Sequence, residues 1–160
     1  MIDNHPETSG GFAKGRYRDM LRSRIAGNAG LRILHLEDNC YDAALIAAAL
    51  QVHLACQITA VATRVAFEAE LERDTPDFII SDSSLPDFAG TSALAWAGQK
   101  CPGVPFVFCS GDVSALKQAE ALKAGATGCI SKDDLASLVA LIRRLCGEAG
   151  RCSDATSTPK

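Results

Sequence analysis

The 160-residue chain has no long apolar run, no closely paired cysteines and no strong excess of one charge. Each absence closes a class of protein. The first thirty residues hold no apolar stretch and interleave Lys14, Arg16, Arg18, Arg22 and Arg24 with polar residues, so they do not read as a secretory signal. The longest apolar stretch, at residues 43–50, is Ala-rich. It falls far short of the roughly 20 residues that a membrane-spanning helix needs. The seven cysteines are odd in number and lack C-x-x-C spacing. That argues against a disulfide scaffold and a zinc site, and for small thiols in a reducing cytoplasm. The formal net charge is only −3, unevenly spread. Residues 1–30 carry five Lys or Arg against three Asp or Glu, whereas residues 31–146 carry nine against fourteen. An acidic body gives no reason to expect nucleic-acid binding. Internal repeats and low-complexity tracts are also missing.

What is present is a chain 48% hydrophobic, enough for one cored domain with tails. Residues 1–30 read as a flexible arm, with room for a short helix near residues 17–25. Residues 147–160 are small and polar and read as a frayed tail. Between them, strand and helix alternate five times. Strands are expected at 31–36 (LRILHL), 55–61, 77–81, 105–110 and 127–131. Helices are expected at 41–50, from Thr63 as cap to about Arg73, and at 91–99, 114–124 and 133–146. Gly125 stands where a left-handed residue closes a helix. Short apolar strands between helices imply a parallel sheet covered on both faces. Such sheets bind ligands at the carboxyl ends of their strands.

Those ends hold a defined set of groups. The first strand ends in Glu37-Asp38, the third in Asp82, the fourth in Ser110-Gly111 and the fifth in Lys132. Three carboxylates on one rim raise each other's pKa unless a cation joins them. Mg²⁺, a hard ion that prefers oxygen, suits the set. A carboxylate can also act as nucleophile and form an acyl phosphate. Metal on one side and Lys132 on the other would neutralise phosphoryl oxygens, with Ser110 donating a hydrogen bond and Gly111 leaving room for the donor.

Four segments then carry a resemblance: LHLEDN, IISDSSLPDFAG, FVFCSG and GATGCISKDDL. Residues 31–146 resemble the receiver domain of two-component response regulators. Taken singly, the acidic pair reads as a solvated loop, Asp82 as a turn residue and Lys132 as a surface lysine; the four in order make the case. The resemblance implies a doubly wound, five-stranded parallel sheet of order 2-1-3-4-5, a flavodoxin-like three-layer α/β sandwich. It implies that Asp82 accepts a phosphoryl group from a histidine kinase or a histidine phosphotransfer protein. Glu37, Asp38, Asp82 and the backbone carbonyl of Ser84 would hold Mg²⁺. Lys132 would pair with the phosphoryl oxygens and Ser110 would turn toward them. Ser84 and Asp112 take the positions that tune acyl-phosphate hydrolysis. A downstream protein would bind the face of the fourth helix, fifth strand and fifth helix, with no role for nucleic acid or membrane. Such a protein catalyses only its own phosphorylation and dephosphorylation and is not a metabolic enzyme.

Two departures stand out. Cys129 replaces the usual aromatic switch residue three positions before the lysine, and Asp133 replaces the usual proline after it. A cis bond is therefore not expected there, and Asp133 or Asp134 becomes a helix cap. Cys109 and Cys129 read as core thiols rather than a redox pair. Cys40 stands near the rim but is too soft a ligand to prefer it. His35 reads as a strand residue and His53 as a helix-end residue rather than as ligands or phosphoryl carriers, and Trp96 as packing on its helix. The flanks are too short for an output domain, so a stand-alone regulator is expected. The main rival is a phosphorylation-independent interaction module on the same fold. A flavin-dependent electron carrier is disfavoured because EDNCYD after the first strand offers no phosphate-cradling glycine loop. A piece of a hybrid kinase is a further alternative.

Overall fold

Five parallel strands form the sheet of this computed structural model, which describes residues 17, 19–24, 29–86 and 88–146. They are β1 (Leu31–Leu36), β2 (Cys56–Val61), β3 (Phe78–Ser81), β4 (Phe106–Ser110) and β5 (Gly128–Ser131). Their order is β2-β1-β3-β4-β5, with every neighbouring pair parallel. Between and after them run α1 (Cys40–His53), α2 (Arg64–Arg73), α3 (Gly90–Lys100), α4 (Ala115–Lys123) and α5 (Leu135–Leu145).

The three inner strands, β1, β3 and β4, are largely buried on both faces because helices cover both. Leu34, Leu36, Ile79, Phe106 and Phe108 point into one core with Phe67 and Leu71 of α2 and Ala93 and Leu94 of α3. Ile33, Phe78, Ile80, Val107 and Cys109 point into the other, with Ile46 and Leu50 of α1 and Leu138 and Ile142 of α5. Successive strand residues serve opposite layers, which is the period-two rule acting on a doubly covered sheet. Cys109 and Cys129 therefore cannot meet. Cys109 lies in the second core and Cys129 packs against the first, and both are free thiols.

Helix starts follow from side-chain caps that satisfy otherwise orphaned N–H groups. Asn39 accepts from the N–H groups of Tyr41 and Asp42, Thr63 from Ala66, Ser114 from Lys117, and Asp134 from Ser137. Gly125 has a φ of 104° just past α4. The described residues contain no cis peptide bond.

Residues 17 and 19–24 are helical, within the stretch of the arm where a short helix was expected, and Leu21 is 1% exposed within the core shared by α1 and α5. Arg24 Nη1 meets Asp77 Oδ2 at 3.1 Å, and the Asp77 side chain is fully buried. Asp77 also accepts from the N–H of Arg32 at 2.8 Å. This helix closes the floor of the sheet, at the amino ends of the strands. The remainder of 1–30 and all of 147–160 lie outside the described residues, apart from Ala29 and Gly30.

His35 is buried in β1, and among the described residues neither ring nitrogen has a hydrogen-bond partner. Burial, reinforced by the nearby Lys132 ammonium, pushes its pKa from the usual 6.5 down to about 4. As pH falls below 6.5, the unfolded chain takes a proton that the folded chain does not accept until about 4. The contribution of His35 to stability is therefore whole above the upper value and drains as pH falls toward the lower one. Urea unfolding at pH 7 and pH 5 should show the parent losing about 2 kcal/mol more than His35→Leu between the two conditions. Equal losses would show that this imidazole is not the group responsible.

Candidate functional site

The strand ladders extend one rung beyond the strands and fix the backbone of the rim. The N–H of Glu37 donates to the Val61 carbonyl, that of Asp82 to Leu36, and that of Lys132 to Ser110, each at 2.9 Å. Each of these residues is the first past its strand, so its backbone is held by the sheet while its side chain rises above the edge. Gly90 opens α3 against this edge. A Cβ there would lie 2.7 Å from Phe108 Cε1 and 3.2 Å from the Asp82 carbonyl oxygen, so only glycine lets the helix start so close.

Glu37, Asp38 and Asp82 are brought together, with one oxygen from each within 4.8 Å of the others. Glu37 and Asp82 are buried and Asp38 is exposed, so the group has a closed base and an open side. Burial pushes the Glu37 pKa up, opposed by contacts from Lys132 and from the Asn39 N–H, which donates to Oε1 at 3.0 Å. The donor set contains only carboxylate oxygens. It fits Mg²⁺, and a thiolate-seeking metal has no partner in it. Cys40 is exposed and does not belong to the group.

Lys132 faces the carboxylates. Its Nζ lies 2.7 Å from Glu37 Oε2, 2.7 Å from Asp42 Oδ2 and 3.2 Å from Asp82 Oδ2. Burial alone would lower its pKa. Hydrogen bonds to Asp42, Glu37 and Asp82 outweigh burial and hold the ammonium above the ordinary lysine range. Asp42 is the residue that the sequence reading did not place at the site. It stands in the first turn of α1, where a carboxylate reads from sequence as a partner of the helix dipole.

Ser110 is buried, and its Oγ accepts from the Ser83 hydroxyl at 2.8 Å and from the Asp112 N–H at 3.4 Å. Ser83 is a second partner absent from the sequence reading. The N–H of Ser84 donates to Asp82 Oδ1 at 3.1 Å. The Asp112 carboxylate turns outward and pairs with Lys117 Nζ at 2.6 Å. Cys129 is half-buried on the edge strand, on the opposite sheet face from Cys109. A Cβ at Gly111 would meet nothing within 4 Å, so no close contact requires a glycine there.

Fold and rim together define a doubly wound α/β domain of the receiver type. The response regulator receiver domain family matches residues 33–143, and the chain belongs to that family. It is similar to the receiver domain of a sensor histidine kinase from Pseudomonas aeruginosa, whose structure has magnesium coordinated in the active-site cleft. Identity is 27% over 74% of this chain and 99% of that one, with a TM-score of 0.65. It is similar in fold to a Francisella response regulator receiver domain at 18% identity, covering 74% of this chain and 98% of that one, with a TM-score of 0.66. Comparison with curated proteins finds no match. No helix among the described residues is long and apolar enough to cross a membrane.

Proposed function

We propose that this chain is a response regulator receiver domain whose Asp82 accepts a phosphoryl group from a phosphohistidine on a kinase or phosphotransfer protein. The observation that carries the reading is the position of Asp82, grouped with Glu37 and Asp38 on one side and 3.2 Å from the Lys132 ammonium on the other. An Asp82 carboxylate oxygen would attack phosphorus as the bond from phosphorus to the imidazole nitrogen breaks. Glu37, Asp38 and Asp82, with the Ser84 carbonyl, are the groups to hold Mg²⁺, which supplies charge neutralisation for phosphoryl oxygens. Lys132 supplies it from the opposite side. Ser110 would leave its bond with Ser83 to donate to a phosphoryl oxygen, so the added charge biases a local two-state element. Ser84 and Asp112 take the positions that tune hydrolysis of the acyl phosphate in receiver domains. The protein turns over only its own phosphoryl group, and a cytoplasmic location follows from its cysteine usage and its partners.

Two apolar surfaces support protein partners. On α1, Tyr41, Leu45 and Val52 are exposed at helical spacing, and the helix starts at the rim. This is the face for the phosphoryl donor. On the other flank, Leu116 and Leu122 of α4 are exposed beside the half-buried β5, and a groove runs from Leu122 past Cys129 to Ala140 of α5. This is the face for a downstream target, with Cys129 in the switch position.

Incubation with Mg²⁺ and a small phosphodonor, read by intact mass, tests the core reading. The same assay isolates the donor face. Leu45→Glu should slow phosphotransfer from a cognate protein donor by about tenfold or more, the scale of one lost interface anchor. It should leave phosphorylation by the small donor unchanged. Equal slowing of both reactions would remove α1 from the docking surface. A wild-type chain that takes no phosphoryl group would favour the phosphorylation-independent interaction module.

A further inference from the structure

The three carboxylates around Lys132 are not equivalent. Glu37 and Asp82 belong to the group of oxygens that fits a divalent cation, and Asp42 does not. A cation at that group competes with the ammonium for Glu37 and Asp82. The bond from Lys132 Nζ to Asp42 Oδ2, at 2.7 Å, stands outside the competition. We infer that Asp42 is a positioning residue for phosphoryl acceptance: it keeps the Lys132 ammonium at the rim when a cation claims the other two partners. The inference rests on the reading of Asp82 as phospho-acceptor.

The local structure suits the role. Asn39 caps α1 by accepting from the N–H groups of Tyr41 at 2.9 Å and Asp42 at 3.2 Å, which fixes the first turn. A carboxylate in that turn is also favoured by the helix dipole. Lys132 arrives from the end of β5, ninety residues away, on a flexible four-carbon stem. Its side chain is 16% exposed, against 37% for Asp42. Asp42 thus holds the ammonium from the solvent side, and without it the stem can swing outward. A carboxylate that merely complemented the helix dipole would affect α1 and leave the response of Lys132 to a cation unchanged.

That difference sets the test. Trace labelling with an amine-reactive ester, read residue by residue by mass spectrometry, reports how freely the Lys132 amine moves. Wild type, Asp42→Ala and Asp42→Glu are compared with and without Mg²⁺, with Lys100, Lys117 and Lys123 as internal references. Without Mg²⁺, Lys132 should be protected in all three chains, because Glu37 and Asp82 still hold it. With Mg²⁺, labelling of Lys132 should rise about tenfold in Asp42→Ala, the scale of one charged hydrogen bond, and Asp42→Glu should restore most of the protection. Acyl-phosphate formation with a small phosphodonor should slow in parallel. Labelling of Lys132 that is the same in wild type and Asp42→Ala under Mg²⁺ overturns the inference. So does an equal rise with and without Mg²⁺, which would mean a general loosening of α1. A wild type that takes no phosphoryl group overturns the functional reading itself, and that result is visible in the same samples.

Discussion

Asp82→Asn abolishes acyl-phosphate formation while leaving the domain folded; this is the largest effect expected of any single substitution here. The amide keeps the size of the carboxylate and an oxygen able to accept the Ser84 N–H that now bonds Oδ1 at 3.1 Å. The backbone N–H of residue 82 still donates to the Leu36 carbonyl, so the rim keeps its ladder. What disappears is the nucleophile. An amide oxygen does not displace imidazole from phosphorus, and losing a nucleophile costs on the order of 10³-fold or more in rate. The change also removes one of the charges that crowd the rim, so thermal stability should hold or rise. Intact mass after incubation with Mg²⁺ and a small phosphodonor gives the first readout, and a thermal melt the second. A phosphoryl adduct of wild-type yield on the Asn variant would move the acceptor elsewhere. An adduct on neither chain would favour the interaction module.

The reason Asp82 could be singled out from sequence lies in the sheet. A parallel sheet covered on both faces places its chemistry at the carboxyl ends of its strands, and apolar runs mark those ends clearly. LRILHL fills β1 to the residue, and Glu37 follows it at once. Thr63, Asp134 and Gly125 also serve as the caps and helix stop that their residue types imply. Helix length was less legible. α1 runs from Cys40 to His53, beyond the 41–50 stretch, because Asn39 offers a cap two residues before Tyr41 and nothing in Gln51-Val52-His53 breaks a helix.

Long-range pairings were hidden. Asp42 contacts Lys132 across ninety positions, and in sequence it is indistinguishable from a carboxylate that complements a helix dipole. Ser83 reaches Ser110 across twenty-seven positions and reads as an ordinary turn serine. Cys109 and Cys129 stand on the paired strands β4 and β5. The register matches Cys109 with Ile130 and Phe108 with Cys129, and that one-residue offset sends the two thiols to opposite faces. Leu21 was hidden for a different reason. A short helix was legible near residues 17–25, but among Arg18, Asp19, Arg22 and Arg24 nothing marks Leu21 for burial, and only the open floor of the sheet gives it a place.

That floor supports the second large effect. Leu21→Ala should destabilise the domain by about 2–5 kcal/mol, the usual cost of truncating a core leucine. Leu21 is 1% exposed and shares its cluster with Leu31 and Ile33 of β1, Phe78 of β3 and Ile142 of α5. Beside it, Arg24 reaches the fully buried Asp77 carboxylate, which also accepts the Arg32 N–H. A buried carboxylate left with fewer partners is costly, so the helix both fills a hydrophobic floor and compensates a charge. The family match begins at residue 33, so this segment is an addition by this chain to the matched region. The substitution lies at the amino ends of the strands, roughly 20 Å from the rim at about 3.3 Å per strand residue. It should lower the urea midpoint while leaving the rate of phosphorylation per folded molecule unchanged. A cost below about 0.5 kcal/mol, the level of a neutral surface change, would show that the helix does not dock in solution. A change in phosphorylation rate at full folding would show that floor and rim are coupled, against the separation drawn here.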